Sequence, residues 1–195
     1  MDIIRTDQID LRNAMDADVA AITQIYAWHV EHGLCSFEEV PPSVEEMGRR
    51  LAVVRARGLP WYVASVDGRI AGYCYATPYS SRSAYRFTVQ ESIYIDETLV
   101  GKGVGKLLLA ATINECRRLG YWQMLAVIGD SGDEATLRLH TRQGFRYVGQ
   151  AIQVGFKLGR WIDIVLMQKS LQEVPAILPK GNPLGYVPLA GNEQD

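Results

Sequence analysis

The sequence predicts an α/β or α+β domain, a mixed sheet with helices on both faces. Three observations point there. Strand-like and helix-like periodicities alternate from Ile9 to Gln168. The dipeptide Asp67-Gly68 separates two apolar runs, which is the strongest short-range hairpin signal. A glycine-rich turn, Gly101–Lys106, stands between a strand pattern and a helix pattern.

The elements follow in order. Ile9–Asn13 reads as a short strand. A helix is expected over Ala14–Gly33, with Asp16 and Asp18 in its first turn, where the macrodipole favours acids. Val19, Ile22, Ile25 and Tyr26 then recur at helical spacing. Ser43 caps a second helix reaching about Arg57, and Glu46 completes a capping box. Trp61–Val66 and Arg69–Ala76 flank the hairpin turn, and Thr88–Asp96 is a further strand. Gly103–Leu119 is a helix closed by Gly120. Trp122–Ile128 is a strand, and Glu134–Gln143 is a helix ended by Gly144. Phe145–Lys157 and Arg160–Gln168 form a last hairpin around Gly159. The order is β-α-α-β-β-β-α-β-α-β-β.

Composition narrows the function classes. The chain has 195 residues, 48% hydrophobic and 22% charged, with a net charge of −2. That supports one domain with a real core and argues against a nucleic-acid or membrane-surface partner, which calls for a basic stripe. Cys35, Cys74 and Cys116 are too few and too far apart for a disulfide framework or a metal pattern, and they read as packing residues. With no signal-like start and no membrane-length apolar run, the expected location is cytoplasmic. Residues 1–170 form the expected domain, and residues 171–195, rich in Pro and Gly, form a tail.

Gly101, Gly103 and Gly105 alternate at a helix entry. The first N–H groups of a helix lack internal acceptors and point along the positive end of the dipole, so an anion sits there favourably. Lys106 is followed by Leu107, not Ser or Thr, so the loop is not a Walker motif. It follows a late strand and lacks the Gly-x-Gly-x-x-Gly spacing, so it is not a dinucleotide fingerprint either.

About thirty residues beyond the loop comes Gly129–Phe145, ending in Gly144-Phe145. The combination resembles the GNAT superfamily of N-acetyltransferases. Ser36-Phe37-Glu38, Tyr79–Thr88, Ser92–Ile95, Leu139-His140 and Val154–Asp163 look like its phosphinothricin / methionine sulfoximine acetyltransferase branch. The likeness covers Ile9 to Leu171. It implies the GNAT fold, a mostly antiparallel sheet of about seven strands, splayed at the cofactor site. It implies direct acetyl transfer from acetyl-CoA to the amine of a small amino-acid-like compound, no metal, and a homodimer.

The resemblance also assigns candidate residues. Gly101, Lys102, Gly103, Val104, Gly105 and Lys106 would hold the CoA pyrophosphate, and Ile93, Tyr94 and Ile95 the thioester arm. Asp133 and Thr136 stand where the branch has Asn and Ser beside the pantetheine. Phe37, Arg82, Tyr85, Arg86 and Trp161 fall in the acceptor segments; an Arg suits a carboxylate. Where the branch has a proposed basic Glu, this chain has Gln90, an amide that cannot hold a proton at neutral pH. Glu91 is a carboxylate, but strand alternation sends it to the opposite face unless a bulge intervenes. His140 is the other candidate base, or else a packing histidine. Val100 replaces the usual Gln or Arg of the loop. The pair Glu38 and Glu39 reads as a solvated loop or as an attractor for an ammonium group. The competing readings are a non-catalytic acyl-CoA-binding protein and a protein or peptide N-acetyltransferase.

Overall fold

The computed structural model describes residues 8–172. It contains strands β1 (Ile9–Asn13), β2 (Trp61–Val66), β3 (Arg69–Pro78), β4 (Thr88–Ile95), β5 (Gln123–Gly129), β6 (Arg146–Lys157) and β7 (Arg160–Ser170). Its helices are α1 (Val19–His32), α2 (Val44–Ala56), α3 (Val104–Arg118) and α4 (Glu134–Arg142). The strands form one seven-stranded sheet in the order β1-β2-β3-β4-β5-β7-β6. Every neighbouring pair is antiparallel except β4 and β5.

Local chemistry explains most boundaries. Asp67 (φ 51°) and Gly68 (φ 77°) are both left-handed, as a two-residue hairpin requires. Ser43 Oγ accepts from Glu46 N at 3.1 Å, so the cap is made. The other half of the expected box is replaced: the Glu46 carboxylate accepts from Arg49 and Arg50 instead. The first helix starts later than the periodicity suggests. Asp16–Asp18 is a 3-10 turn, and α1 proper begins at Val19. The Asp18 carboxylate is committed backwards, to Arg12 at 2.6 and 2.8 Å and to Met15 N at 2.8 Å. The last strand also runs further than expected. Leu171 is buried, and its N–H and C=O bond Trp122 and Arg117. Gln172 Nε2 donates to Tyr121 O at 3.1 Å, and the expected tail from residue 173 onward lies outside the described residues.

Strand alternation divides the sheet into two chemical faces. On one face Tyr94 of β4 meets Tyr26 of α1 edge-on at 4.9 Å, with α2 packed beside α1. On the other, a Cβ built on Gly105 of α3 would touch Ile93 and Ile95 of β4 and Leu139 of α4. The core is continuous across both faces and includes Ile22, Val63, Tyr73, Leu108, Leu109 and Met124. Burying each such aliphatic side chain contributes about 1.5–3 kcal/mol. Among the described residues no helix is long and apolar enough to cross a membrane.

Candidate active site

The parallel pair β4–β5 is short. Register holds from Thr88↔Gln123 to Glu91↔Ala126 and then stops. Beyond it, β4 stays paired with β3 up to Ile95, and β5 stays paired with β7 up to Gly129. The two strands therefore splay apart from Ser92 onward. Backbone bonding alternates along an antiparallel strand. Asp96 N donates to Ala71 O, and Tyr79 N donates to Thr88 O, so the even-numbered residues of β4 turn towards β3. The N–H and C=O groups of Ile93 and Ile95 consequently turn to the splay side, where the Ile95 C=O already accepts from His29 Nε2 at 2.8 Å and the Ile95 N–H is left to a ligand. Those of Tyr94 point away, and its ring lies on the α1 face. Of the segment Ile93-Tyr94-Ile95, two residues offer backbone to a ligand and the third offers a side chain to the other face.

The glycine loop ends beside this gap. Gly101 (φ 80°) and Gly103 (φ 92°) are left-handed, and Gly103 is the N-cap of α3. A Cβ on either would meet nothing within 4 Å, so both border open space. Leu107 N bonds Gly103 O, which leaves the N–H groups of Val104, Gly105 and Lys106 without helical acceptors. Gly105 has a separate task, since a Cβ there would sit 3.3 Å from Leu139 and hold α3 off α4. This cradle and the splay together fit a polyanion with a linear thioester arm. Val100 is half-exposed and adds no charge. Asp133 is the N-cap of α4, its Oδ1 accepting from Thr136 N at 3.0 Å, so both residues have structural duties at the helix start.

α4 carries His140 beneath the gap. Its Nδ1–H donates to Thr136 O at 2.8 Å, which turns Nε2 towards Glu91 Oε1 at 2.9 Å. Both side chains are buried, and β4 stays in register with β3 here, so no bulge carries Glu91 to the Gln90 face and alternation leaves it on the opposite one. That face is the α3–α4 side. Burial alone would depress the imidazolium, but the Glu91 charge and hydrogen bond outweigh it and the net shift is upward. His140 thus has no open nitrogen; any proton it handles passes along the Glu91 bond. Cys74 Sγ, at 3.9 Å, donates weakly to the other Glu91 oxygen.

Gln90 lies on the opposite face, in register with Thr77 and on the same side as Ser92 and Tyr94. Its amide makes no hydrogen bond to a described residue. Next to this face runs the loop from Gly33 to Pro42. Tyr26 Oη is 2.8 Å from Ser36 Oγ and donates to Glu38 Oε1 at 2.9 Å. Burial pushes the Tyr26 hydroxyl up to about 12. Arg50 holds both Glu38 oxygens, at 2.8 and 3.3 Å. Glu38 is therefore part of a hydrogen-bonded network, while Glu39 acts on Lys157 through its charge. The loop is anchored from below by Lys157, only 3% exposed, whose Nζ donates to Gly33 O and Ser36 O at 2.9 and 2.7 Å. Phe37 covers Gly155 and Gly129, where any Cβ would run into its ring.

The remaining acceptor candidates do not join Phe37. Tyr85 packs edge-on against Tyr79, Arg86 lies 4.6 Å over Phe87, and Arg82 is exposed, all in the β3–β4 connection. Trp161 is 62% exposed and packs on Phe156, on the face of the hairpin away from Gly155 and Phe37. Lys157, Arg50 and Tyr26 escaped the sequence reading as site residues, because their roles rest on contacts far apart in the chain.

Comparison with known proteins gives a consistent picture. The model of the acetyltransferase (GNAT) family matches residues 22–145. A phosphinothricin N-acetyltransferase of Alcaligenes faecalis is 49% identical over 87% of this chain and 86% of its own. An L-methionine sulfoximine/L-methionine sulfone acetyltransferase of Salmonella typhimurium is 38% identical over 84% of this chain and 95% of its own. The crystal structure of a phosphinothricin acetyltransferase from Sinorhizobium meliloti, in complex with acetyl-CoA, superposes with a TM-score of 0.84 at 40% identity, covering 88% of this chain and 93% of that one.

Proposed function

The chain belongs to the acetyltransferase (GNAT) family and is an acetyl-CoA-dependent N-acetyltransferase, and we propose that its acceptor is the amino group of a small amino-acid-like compound. Phosphinothricin, methionine sulfoximine, methionine sulfone and plain L-amino acids are the candidates. The 49% identity to a phosphinothricin N-acetyltransferase carries this reading. The Phe37 loop, anchored by Lys157 beside the face that carries Gln90, supports it.

Acetyl-CoA supplies an activated acyl thioester. The bare N–H groups of Val104, Gly105 and Lys106 hold its pyrophosphate, aided by the charges of Lys102 and Lys106. The splay backbone at Ile93 and Ile95 aligns the arm and offers N–H groups to the carbonyl oxygen as charge develops there. Asp133 and Thr136 fix the start of α4 beside it. A free α-amine has a pKa near ~8, so a modest base suffices. Gln90 orients the amine or a water on the acceptor face. The Glu91–His140 pair holds the proton on the other side of the strand. Phe37 walls the acceptor space, and Arg82, Tyr85, Arg86 and Trp161 reach the acceptor from its rim or from a second subunit.

Exposed apolar residues on β6 and β7, among them Ile152, Val154, Phe156 and Trp161, support a homodimer built through this hairpin. A monomeric mass at micromolar concentration would remove it. The unpaired cysteines Cys35, Cys74 and Cys116 suit a cytoplasmic enzyme.

The test is CoA release from acetyl-CoA with a panel of amines and a short peptide. Turnover with methionine sulfoximine or phosphinothricin, and none with the peptide, is expected. Turnover with the peptide alone overturns the acceptor assignment.

A further inference from the structure

His29 and Cys35 lie at the mouth of the splay and take no part in the transfer described above. Cys35 Sγ is 3.5 Å from His29 Nδ1, and His29 Nε2 is 2.8 Å from Ile95 O. A carbonyl oxygen only accepts, so Nε2 carries the proton and Nδ1 of the neutral ring is the acceptor. The Cys35 thiol therefore donates to His29, and His29 donates to the backbone. This is a nucleophile, a base and an orienting acceptor in line, the arrangement that activates a side chain for acyl transfer.

Its position is defined by the elements around the gap. His29 reaches the end of β4 through Ile95 O. The backbone of Cys35 lies against Gly129 at the end of β5. The Asp133 carboxylate at the start of α4 and the Lys157 ammonium at the end of β6 both act electrostatically on the thiol. Cys35 is partly exposed, whereas Cys74 and Cys116 are buried.

We propose that Cys35 and His29 form a thiol acylation site that takes the acetyl group from acetyl-CoA when no amine acceptor is bound. Cys35 Sγ attacks the thioester carbonyl carbon. The new bond is carbon to Cys35 sulfur, and the bond that breaks is carbon to CoA sulfur. The thiol proton passes to His29 Nδ1 and then to the departing CoA sulfur, so acetyl-Cys35 and free CoA are the products. Nothing is oxidised or reduced. The Ile95 carbonyl holds Nε2–H throughout and steadies the transient imidazolium. Burial raises the Cys35 thiol and lowers the His29 imidazolium, so the pair rests as thiol and neutral ring. His29 must accordingly act as a base during attack, and the reaction is slower than transfer to a free amine.

The proposal rests on the thioester arm lying in the splay. Full-length protein is incubated with acetyl-CoA without amine, desalted, and read by intact-protein mass and peptide mapping; acetyl-CoA binding is measured separately by calorimetry. One acetyl group on Cys35, released by neutral hydroxylamine, is expected. Cys35→Ser should lose the label, and His29→Gln should slow it at least tenfold, with melting temperatures showing both variants folded. A protein that binds acetyl-CoA and acetylates amines yet carries no label, or carries it on a hydroxylamine-resistant lysine, overturns the acylation site alone. Failure to bind acetyl-CoA overturns the reading of the splay beneath it as well.

Discussion

His140 and Glu91 face each other across the α4–β4 contact, Nε2 to Oε1 at 2.9 Å, with side chains 1% and 3% exposed. The second ring nitrogen is held by Thr136 O, so the imidazole cannot turn away. A single proton shared between a carboxylate and an imidazole is the natural content of such a pair.

Glu91→Gln keeps the volume and removes the charge. The raised His140 pKa should then fall, because burial is left unopposed. A group raised above its unfolded value near ~6.5 contributes stability that is full below that pH. That contribution is lost as pH rises through the folded value. The stability gap between wild type and Glu91→Gln, measured by urea unfolding, should narrow as pH rises through that window. Its size should be about 1–3 kcal/mol, the cost of an unmatched buried polar group. Turnover should drop at least tenfold with little change in acetyl-CoA affinity. A gap that widens above neutral pH would contradict the pair as described.

Gln90 tests the other face. It sits beside Ser92 and Tyr94 with an uncommitted amide, so if the amine binds on this face as proposed, a carboxylate there would meet it directly. Gln90→Glu should raise kcat/KM for an amino-acid acceptor by about tenfold, within the range of general-base effects. The gain should be greatest below the acceptor's own pKa, where the amine is mostly protonated. An unchanged pH–rate profile would assign the proton to Glu91–His140 or to water.

Much of this arrangement is legible in the sequence where the chemistry is local. The Asp67-Gly68 turn, the Ser43 cap and the glycine turn into α3 depend on neighbours within a few residues, and each forms. Alternation alone separates Gln90 from Glu91. What it cannot give is the identity of each face, which is set by α1 and α4 packing from remote parts of the chain. Helix α1 starts late because Asp18 is taken by Arg12 on a preceding strand. Glu38 reads as a loop carboxylate until Arg50 and Tyr26 are brought to it. The His29–Cys35 contact depends on how the chain turns at Gly33, which periodicity does not report.

Gly103 offers a test of the cradle. Its φ of 92° is costly for any residue with a Cβ, by roughly 1–2 kcal/mol. The Cβ itself would project into the open space before α3. Gly103→Ala should therefore weaken acetyl-CoA binding at least tenfold in calorimetry, while KM for the amine stays near wild type. Equal loss on both substrates would mean that the loop supports the whole site rather than the pyrophosphate.

Lys157 separates the Phe37 loop, proposed to wall the acceptor space, from the glycine loop proposed to hold the cofactor. Its ammonium is buried at the end of β6, and burial holds its pKa below the usual lysine value. It is kept there by the carbonyls of Gly33 and Ser36, more than a hundred residues earlier in the chain. Lys157→Met preserves the stem and strands both carbonyls, at about 1–3 kcal/mol each if they stay dry. The loop should relieve that cost by lifting, carrying Ser36 and Phe37 with it. KM for the amine should then rise at least tenfold, and Gly33–Phe37 amides should exchange faster with solvent. The glycine loop sits on a different helix and should keep its acetyl-CoA affinity. If amine KM is unaffected while the protein is destabilised, Lys157 is a fold anchor only, and the Phe37 loop does not shape the acceptor space.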